Sequence, residues 1–343
     1  MAKVDDRAQR RVATLNDVAL RAGVSLATAS KALNGRSEVA AATRQRVIVA
    51  AEEISFTPNQ QARSLVENRT RTVGLLTNDL EGRFVLPILM GAEDAFGTGA
   101  VDVFLCDARG DAVRERHHLN ALLTRRVDGI IVVGRQTDTR PSLGHDLPVP
   151  VIYAYAPSED PNDLSLTPDN LMGGRMSIEH LIACGRKNIA YISGDQSYAA
   201  ARDRVDGALA ALHDAGMKLV GEVMYSEWSE HWGRDAAAIL IARHPEIDGF
   251  ACGSDQIARG VIDTLRDLGR SVPDHVAVIG FDNWEILATN SRPTLTTIDA
   301  NLQELGRHAA QLIFEAIDGT GTGQGIQYQS VRLVIRGSTI LRR

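Results

Sequence analysis

Residues 14–35 read TLNDVALRAGVSLATASKALNG, and the starts and stops within them decide the first domain. Thr14 can cap a helix from Leu15 to about Ala22, with Asp17 in its first turn, where a negative charge suits the helix dipole. Gly23 supplies the left-handed residue that ends it. Ser25 then caps a second helix to about Leu33, which Asn34-Gly35 stops. Downstream, a third helix from about Ala41 to Glu53 carries Val47, Ala50, Ala51 and Ile54 on one face. Three short helices with a glycine in the turn between the first two form the helix-turn-helix pattern.

The charge distribution gives that pattern a meaning. Residues 1–71 hold 12 Lys and Arg against 7 Asp and Glu, a net of +5, in a chain whose total is −6, so the rest carries −11. A basic head on an acidic body is the asymmetry expected of a protein that meets nucleic acid at one end. The second helix is the one to enter a major groove. Ser25, Leu26, Ala27 and Thr28 sit in its first turn, and Ser30 and Lys31 follow one turn later. Hydroxyls and free N–H groups at a helix start suit phosphate oxygens, Leu26 and Ala27 suit thymine methyls, and Lys31 suits a guanine edge or a phosphate. An ordinary helical hairpin with a solvated basic face fits the same residues.

Past Val73 the texture changes. VGLLTND, DVFLCDA, GIIVVG, PVIYAY, NIAYISG, GFACGS and VAVIGFD are short apolar runs bounded by turn residues. Between most of them lie amphipathic stretches at 87–97, 112–126, 170–184, 200–215, 233–243 and 256–268. Alternating strands and helices predict parallel sheets covered on both faces. With 343 residues in all, the body exceeds one ordinary sheet and suggests two similar lobes. The Gly/Thr stretch 319–325 reads as a surface loop.

The run 14–35, followed by TRQRVIVAAEEISFTPNQQARSL and RTVGLLTND and closed by LVIRGST, resembles the LacI/GalR family of bacterial transcriptional regulators over nearly the whole chain. The resemblance implies a fold: an N-terminal all-α helix-turn-helix domain plus an α/β periplasmic-binding-protein-like core of two doubly wound parallel-sheet lobes. It implies a DNA-binding domain over 1–57, a hinge helix and linker over 58–71, and an effector-binding core over 72–343. The N-lobe then takes about 72–166 and 301–329, and the C-lobe about 167–300 and 330–343. Contacts to operator DNA are implied for Thr14, Leu15, Ser25, Leu26, Ala27, Thr28, Ser30, Lys31 and Asn34, and in the hinge for Asn59, Ala62, Arg63 and Leu65. About eight residues are too few to hold a helix alone in water, because nucleation outweighs so few bonds. The hinge is therefore expected to order only when two copies pack over DNA, and the resemblance implies that Leu65 is the leucine wedged into the minor groove at the central base step. Val66 stands where purine-type members often carry a basic residue. A linker leucine packed on the body is the plain alternative for Leu65.

For the core, the resemblance implies a small ligand in the cleft outside the carboxyl ends of the strands. The residues there are Asp79, Phe84, Asp107, Arg109, Tyr155, Arg204, Trp228, Ser254, Asp255 and Asp282. Arg204 and Asp282 can clamp vicinal hydroxyls as a donor fork and an acceptor, and Trp228 or Phe84 can wall the C–H face of a sugar ring. Plainer roles stand beside these: helix capping for Asp255 and Asp282, a surface ion pair for Arg204, core packing for Trp228. Tyr155 stands where several sugar-binding members have Asp, and Ser254 where Asn is common, so no particular sugar is implied.

The expected function is a sequence-specific repressor whose operator affinity follows a small effector, a sugar or sugar derivative. A purine-type corepressor-dependent regulator and an unrelated α/β enzyme are the alternatives. The enzyme reading lacks G-x-G-x-x-G between a strand and a helix, a P-loop and G-x-S-x-G. Cys106, Cys184 and Cys252 stand far apart without metal spacing, so neither a metal nor another cofactor is expected, and a reducing compartment is. The N-terminus has no apolar signal region and no run approaches a membrane span, which predicts a cytoplasmic protein without membrane contact. The chain ends at Arg343 without an added heptad segment, which favours a homodimer on a near-palindromic operator.

Overall fold

The helix start at Thr14 is a capping box: its hydroxyl accepts from the Asp17 N–H at 3.4 Å, and its own N–H donates to the Asp17 carboxylate at 2.8 Å. That cap opens α1 (Leu15–Ala22) in a computed structural model of the chain. The structure describes residues 13–33, 37–56, 69–97, 101–321 and 323–340. Asn34 and the hinge residues Asn59, Ala62, Arg63 and Leu65 lie outside the described residues. Gly23 ends α1 at φ 65°, and its N–H returns to the carbonyls of Ala19 and Leu20. Ser25 caps α2 (Leu26–Leu33) by accepting from the Thr28 N–H at 3.2 Å. With α3 (Ala41–Glu53), these helices enclose a core built chiefly of Val and Ala, including Val18, Ala29, Val47 and Ala50. Such small side chains let three short helices approach closely. The chain divides into two compact units between Thr70 and Arg71.

The second unit alternates strands and helices. In order, it runs β1 (Thr72–Thr77), α4 (Val85–Phe96), β2 (Asp102–Asp107), α5 (Ala112–Thr124), β3 (Gly129–Val133), β4 (Val151–Ala154), β5 (Leu164–Pro168) and α6 (Asn170–Ala183). It continues through β6 (Ile189–Ser193), α7 (Ala199–Asp214), β7 (Met224–Tyr225), α8 (Glu230–Arg243), β8 (Gly249–Cys252), α9 (Asp255–Asp267) and β9 (Ala277–Phe281). It closes with α10 (Glu285–Ala288), β10 (Thr296–Asp299), α11 (Leu302–Ile317), β11 (Gly325–Gln329) and β12 (Arg332–Val334). Among the described residues these strands make two six-stranded sheets, ordered β11-β5-β4-β3-β1-β2 and β12-β10-β9-β8-β6-β7. Every pairing is parallel except β10 with β12. The chain passes between the sheets three times: after β5, between β10 and α11, and between β11 and β12.

The central strands β1, β3, β6, β8 and β9 are buried along their whole length, which is why they read as unbroken apolar runs rather than as alternation. β5 escapes that reading because it is LSLTP, yet it is equally buried. Its polar groups are paired inside the fold: Ser165 accepts from the Ser158 N–H at 3.0 Å, and Thr167 donates to the Tyr155 carbonyl at 3.1 Å. The loop expected over 319–325 ends one residue early, because Gly325 opens β11. The helix expected to open at Gly233 starts at Glu230 instead, capped by Ser229.

The covering helices pair through glycines. In α6 and α7, a Cβ on Gly207 would meet the Leu171 carbonyl oxygen at 1.8 Å, and one on Gly174 would meet that of Arg204 at 1.9 Å. The same reciprocal approach joins α4 to α11 at Gly91 and Gly306, and α8 to α9 at Gly233 and Gly260. The α6–α7 crossing matters most, since α7 carries Arg204. Gly207→Ala is expected to destabilise the protein by about 1–3 kcal/mol, the usual cost of overpacking. A urea midpoint equal to that of the unaltered protein would show that the helices part without cost.

Candidate functional site

In the first unit, the start of α2 presents Ser25, Leu26 and Ala27 to solvent. The Ser25 and Thr28 hydroxyls are 2.8 Å apart, so they form one polar unit at the helix N-terminus. Leu26 is half exposed beside it, an apolar group on a polar helix start. Lys31 pairs with Glu38 at 2.7 Å, and both are exposed; such a pair is worth little and exchanges readily for another anion. Ser30 is half-buried, and the Thr14 hydroxyl is already bonded to Asp17 at 2.6 Å. Leu15 is half-buried and packs against the three-helix core.

In the second unit, the carboxyl ends of both sheets face a cavity of about 260 Å³. Arg83, Phe84 and Tyr155 line it from the β1 and β4 loops of the first sheet; Arg204, Trp228 and Asp282 line it from the second. Arg204 is 3% exposed. Its Nε donates to Asn170 Oδ1 at 2.8 Å, one Nη donates to the Gly253 carbonyl at 2.6 Å, and its plane lies 3.6 Å from the Phe281 ring centroid. The other Nη stands 3.3 Å from Asp282 Oδ1 as an ion pair, outside hydrogen-bond geometry. The second Asp282 oxygen accepts from Arg83 at 2.5 Å. Arg83 is flanked by the Phe84 and Trp284 rings, each 4.7 Å from its guanidinium carbon. Phe84 stacks on Tyr155 at 4.9 Å, and burial, with the Asp282 charge behind it, pushes the Tyr155 phenol well up. Asp282 Oδ1, Arg83 Nη1, Trp228 Nε1 and Thr137 Oγ1 are buried polar atoms without a hydrogen-bond partner, and all four residues line the cavity. Native proteins rarely leave such atoms unpaired unless a water or ligand completes them.

A second cavity of about 490 Å³ adjoins the first, sharing Asp79, Arg135 and Gln136. Arg109 and Asp107 line this one and not the inner one. Ser254 and Asp255, also expected at the ligand, line neither cavity. Both are fully buried: Ser254 caps α9 by accepting from the Ile257 N–H at 3.3 Å. Asp255 accepts from the Thr297 hydroxyl at 2.5 Å and from the Trp284 N–H at 2.6 Å. No group of His, Cys, Asp and Glu able to hold a metal occurs among the described residues, and none of their helices is long and apolar enough to cross a membrane.

Residues 14–59 match the family model for bacterial regulatory proteins of the lacI family, and residues 178–339 match that for a periplasmic binding protein-like domain. The HTH-type transcriptional repressor PurR of Pasteurella multocida is 30% identical over 95% of this chain and 98% of its own. The HTH-type transcriptional regulator CelR of Thermobifida fusca is 31% identical over 97% and 98%. The chain belongs to the LacI family.

LacI-family structures agree with it along their length. The lac repressor dimer bound to operator and the anti-inducer ONPF is similar with a TM-score of 0.75 and 25% identity, over 96% of this chain and 100% of that one. A transcriptional regulator CelR–cellobiose complex is similar at 0.62 and 28%, over 95% and 99%. This LacI-family chain is therefore a DNA-binding transcriptional regulator. Arg83, Tyr198 and Gln256 line its cleft and were missed in the sequence. Arg83 and Tyr198 sit in the loops after β1 and β6, so reading every residue of each such loop would have found them. Gln256 lies in the first turn of α9, and nothing in its local sequence marks it.

Asp255 has a measurable signature. Burial, and then the Asp282 charge, raise its carboxyl from 3.8 to about 8. The folded state thus holds a proton that the unfolded chain has released, so this contribution to stability is full below about pH 4 and is lost as pH rises through about 8. Denaturant titrations across that window should show a fall in the unaltered protein that Asp255→Asn flattens. Equal slopes would mean that the buried group is ionised.

Proposed function

We propose that the chain is an operator-binding repressor whose hold on DNA is set by a sugar or sugar derivative in the inner cavity. One observation carries the reading: a buried guanidinium fork and carboxylate, Arg204 and Asp282, with unpaired polar atoms beside them and aromatic rings around them. Vicinal hydroxyls donate to the carboxylate and accept from the fork, while Trp228 and Phe84 cover the C–H faces. Phe84 and Tyr155 stack on each other rather than parting to sandwich a planar base, which favours a sugar over a purine corepressor. The cavity falls just below the 300–1,000 Å³ common for ligand pockets, a size that suits one ring. A CelR relative in complex with cellobiose supports the same class of ligand. The chemistry is binding, with no catalytic step.

The ligand touches loops of both sheets, so its binding energy depends on the angle between the lobes. A differential affinity of a few kcal/mol shifts most of the population. On this reading the protein acts in the cytoplasm as a homodimer on a near-palindromic site, as the two-fold logic of paired half-sites requires. The α2 start enters the major groove, and residues 58–66 of two copies pair over the minor groove, where Leu65 wedges and bends the duplex.

The full-length protein should retard a palindromic fragment of its own promoter, with steep salt dependence. Leu65→Ala should weaken that specific complex about tenfold or more while sparing non-specific binding. Arg204→Ala should keep operator affinity and lose the response to effector. Equal loss of specific and non-specific binding would remove the wedge, and an undiminished response in Arg204→Ala would move the ligand elsewhere.

A further inference from the structure

The chain enters the second unit through one residue in an uncommon conformation. Arg71 is the first residue of that unit and sits at φ 55°, in the left-handed region that an arginine seldom adopts. A residue stays there only where its surroundings hold it. Both backbone groups of Arg71 are engaged. Its carbonyl accepts from the Asp102 N–H at 2.9 Å, which extends the ladder between β1 and β2 by one residue. Its N–H meets a side chain instead of a strand: it donates to the Asp128 carboxylate at 2.6 Å. A carboxylate acceptor makes this one of the stronger kinds of bond that a backbone N–H can form.

Asp128 is itself held from several sides. Just before it, Arg126 closes α5 at φ 56°, with its N–H on the Leu123 carbonyl at 2.9 Å, and Val127 is buried. The Asp128 N–H donates to the Thr72 carbonyl at 2.7 Å, so this one residue grips β1 and the residue before it. Gly129 follows without room for a side chain: a Cβ there would meet Ile313 of α11 at 2.7 Å. The start of β3 is thereby pressed against the helix that follows a crossover from the second sheet.

The tether beyond Arg71 is short. Residues 67–70 alone separate it from the hinge read over 58–66, so residues 66 and 71 are at most about 18 Å apart. With so little slack, the direction in which the chain leaves β1 limits where the hinge can sit. We propose that Asp128 is a positioning residue for operator binding: by holding the Arg71 N–H it fixes the direction of the tether, so that both hinges of a dimer are presented already aimed. This rests on the reading of 58–66 as a hinge that pairs over DNA. Asp128 acts through Arg71 and touches no DNA itself. Without it, Arg71 relaxes to an ordinary extended conformation, and each tether must be ordered anew on binding, twice per dimer.

Anisotropy titrations of the full-length protein test this, with a palindrome from its own promoter and a scrambled duplex of equal length. Asp128→Ala is expected to weaken binding to the palindrome about tenfold or more and to spare the scrambled duplex. Arg71→Pro removes both the donor and the positive φ, so it should cost as much, and combining the two substitutions should cost no more than either. Arg71→Asn keeps the N–H and accepts the left-handed backbone, so it should stay well above Arg71→Pro in affinity for the palindrome, a comparison that holds even if Asp128→Ala does not fold. Unchanged affinity in Asp128→Ala, fully additive losses in the double variant, or equal affinities for Arg71→Pro and Arg71→Asn would overturn the proposal and leave the hinge reading standing. Failure of the unaltered protein to prefer the palindrome would overturn both.

Discussion

The contact on which the cleft depends is the carboxylate of Asp282, shared between Arg83 from the first sheet and Arg204 from the second. Asp282 holds that place at a backbone cost. It sits at φ 102°, a conformation that residues other than glycine seldom adopt, and Asn283 follows at φ 51°, which asparagine tolerates. Such strain persists only where the surroundings over-determine it. Here the Asp282 N–H donates to the Ile298 carbonyl at 2.7 Å, and the Trp284 N–H two residues on donates to Asp255. The buried Asp255 therefore shapes the loop that presents Asp282, without itself reaching the cavity.

The two lobes of the core meet through side-chain contacts at the cleft. Arg83 and Asp282 join the lobes through one ion pair, and Asp138 joins them again where it accepts from the start of α7. A sugar bound as proposed would lie beside the first of these bridges.

Much of this was legible in the sequence. Capping at Thr14, the turn at Gly23 and the buried strands each rest on a local rule, and each of those rules held at those places. What escaped has a physical cause. β5 is buried but polar, because Ser165 and Thr167 find partners that no local pattern shows. In the cleft, the rule that ligands gather after strands selected Asp79, Phe84, Tyr155, Trp228 and Asp282, and it also selected Ser254 and Asp255. It could not separate them, since a residue after a strand is as readily a helix cap or a loop anchor as a ligand contact. Arg83 shows the converse: its importance lies in a partner 199 residues away, which only the fold brings within reach.

The most direct test of the account is the distance between the lobes in the absence of effector, read from spin labels placed one on each lobe, in the unaltered protein and in Asp282→Asn. The substitution keeps the shape of the side chain and removes the charge that Arg83 and Arg204 share. The account predicts a single narrow distance in the unaltered protein and a longer, broader distribution in the variant. The same narrow distance in both would contradict it.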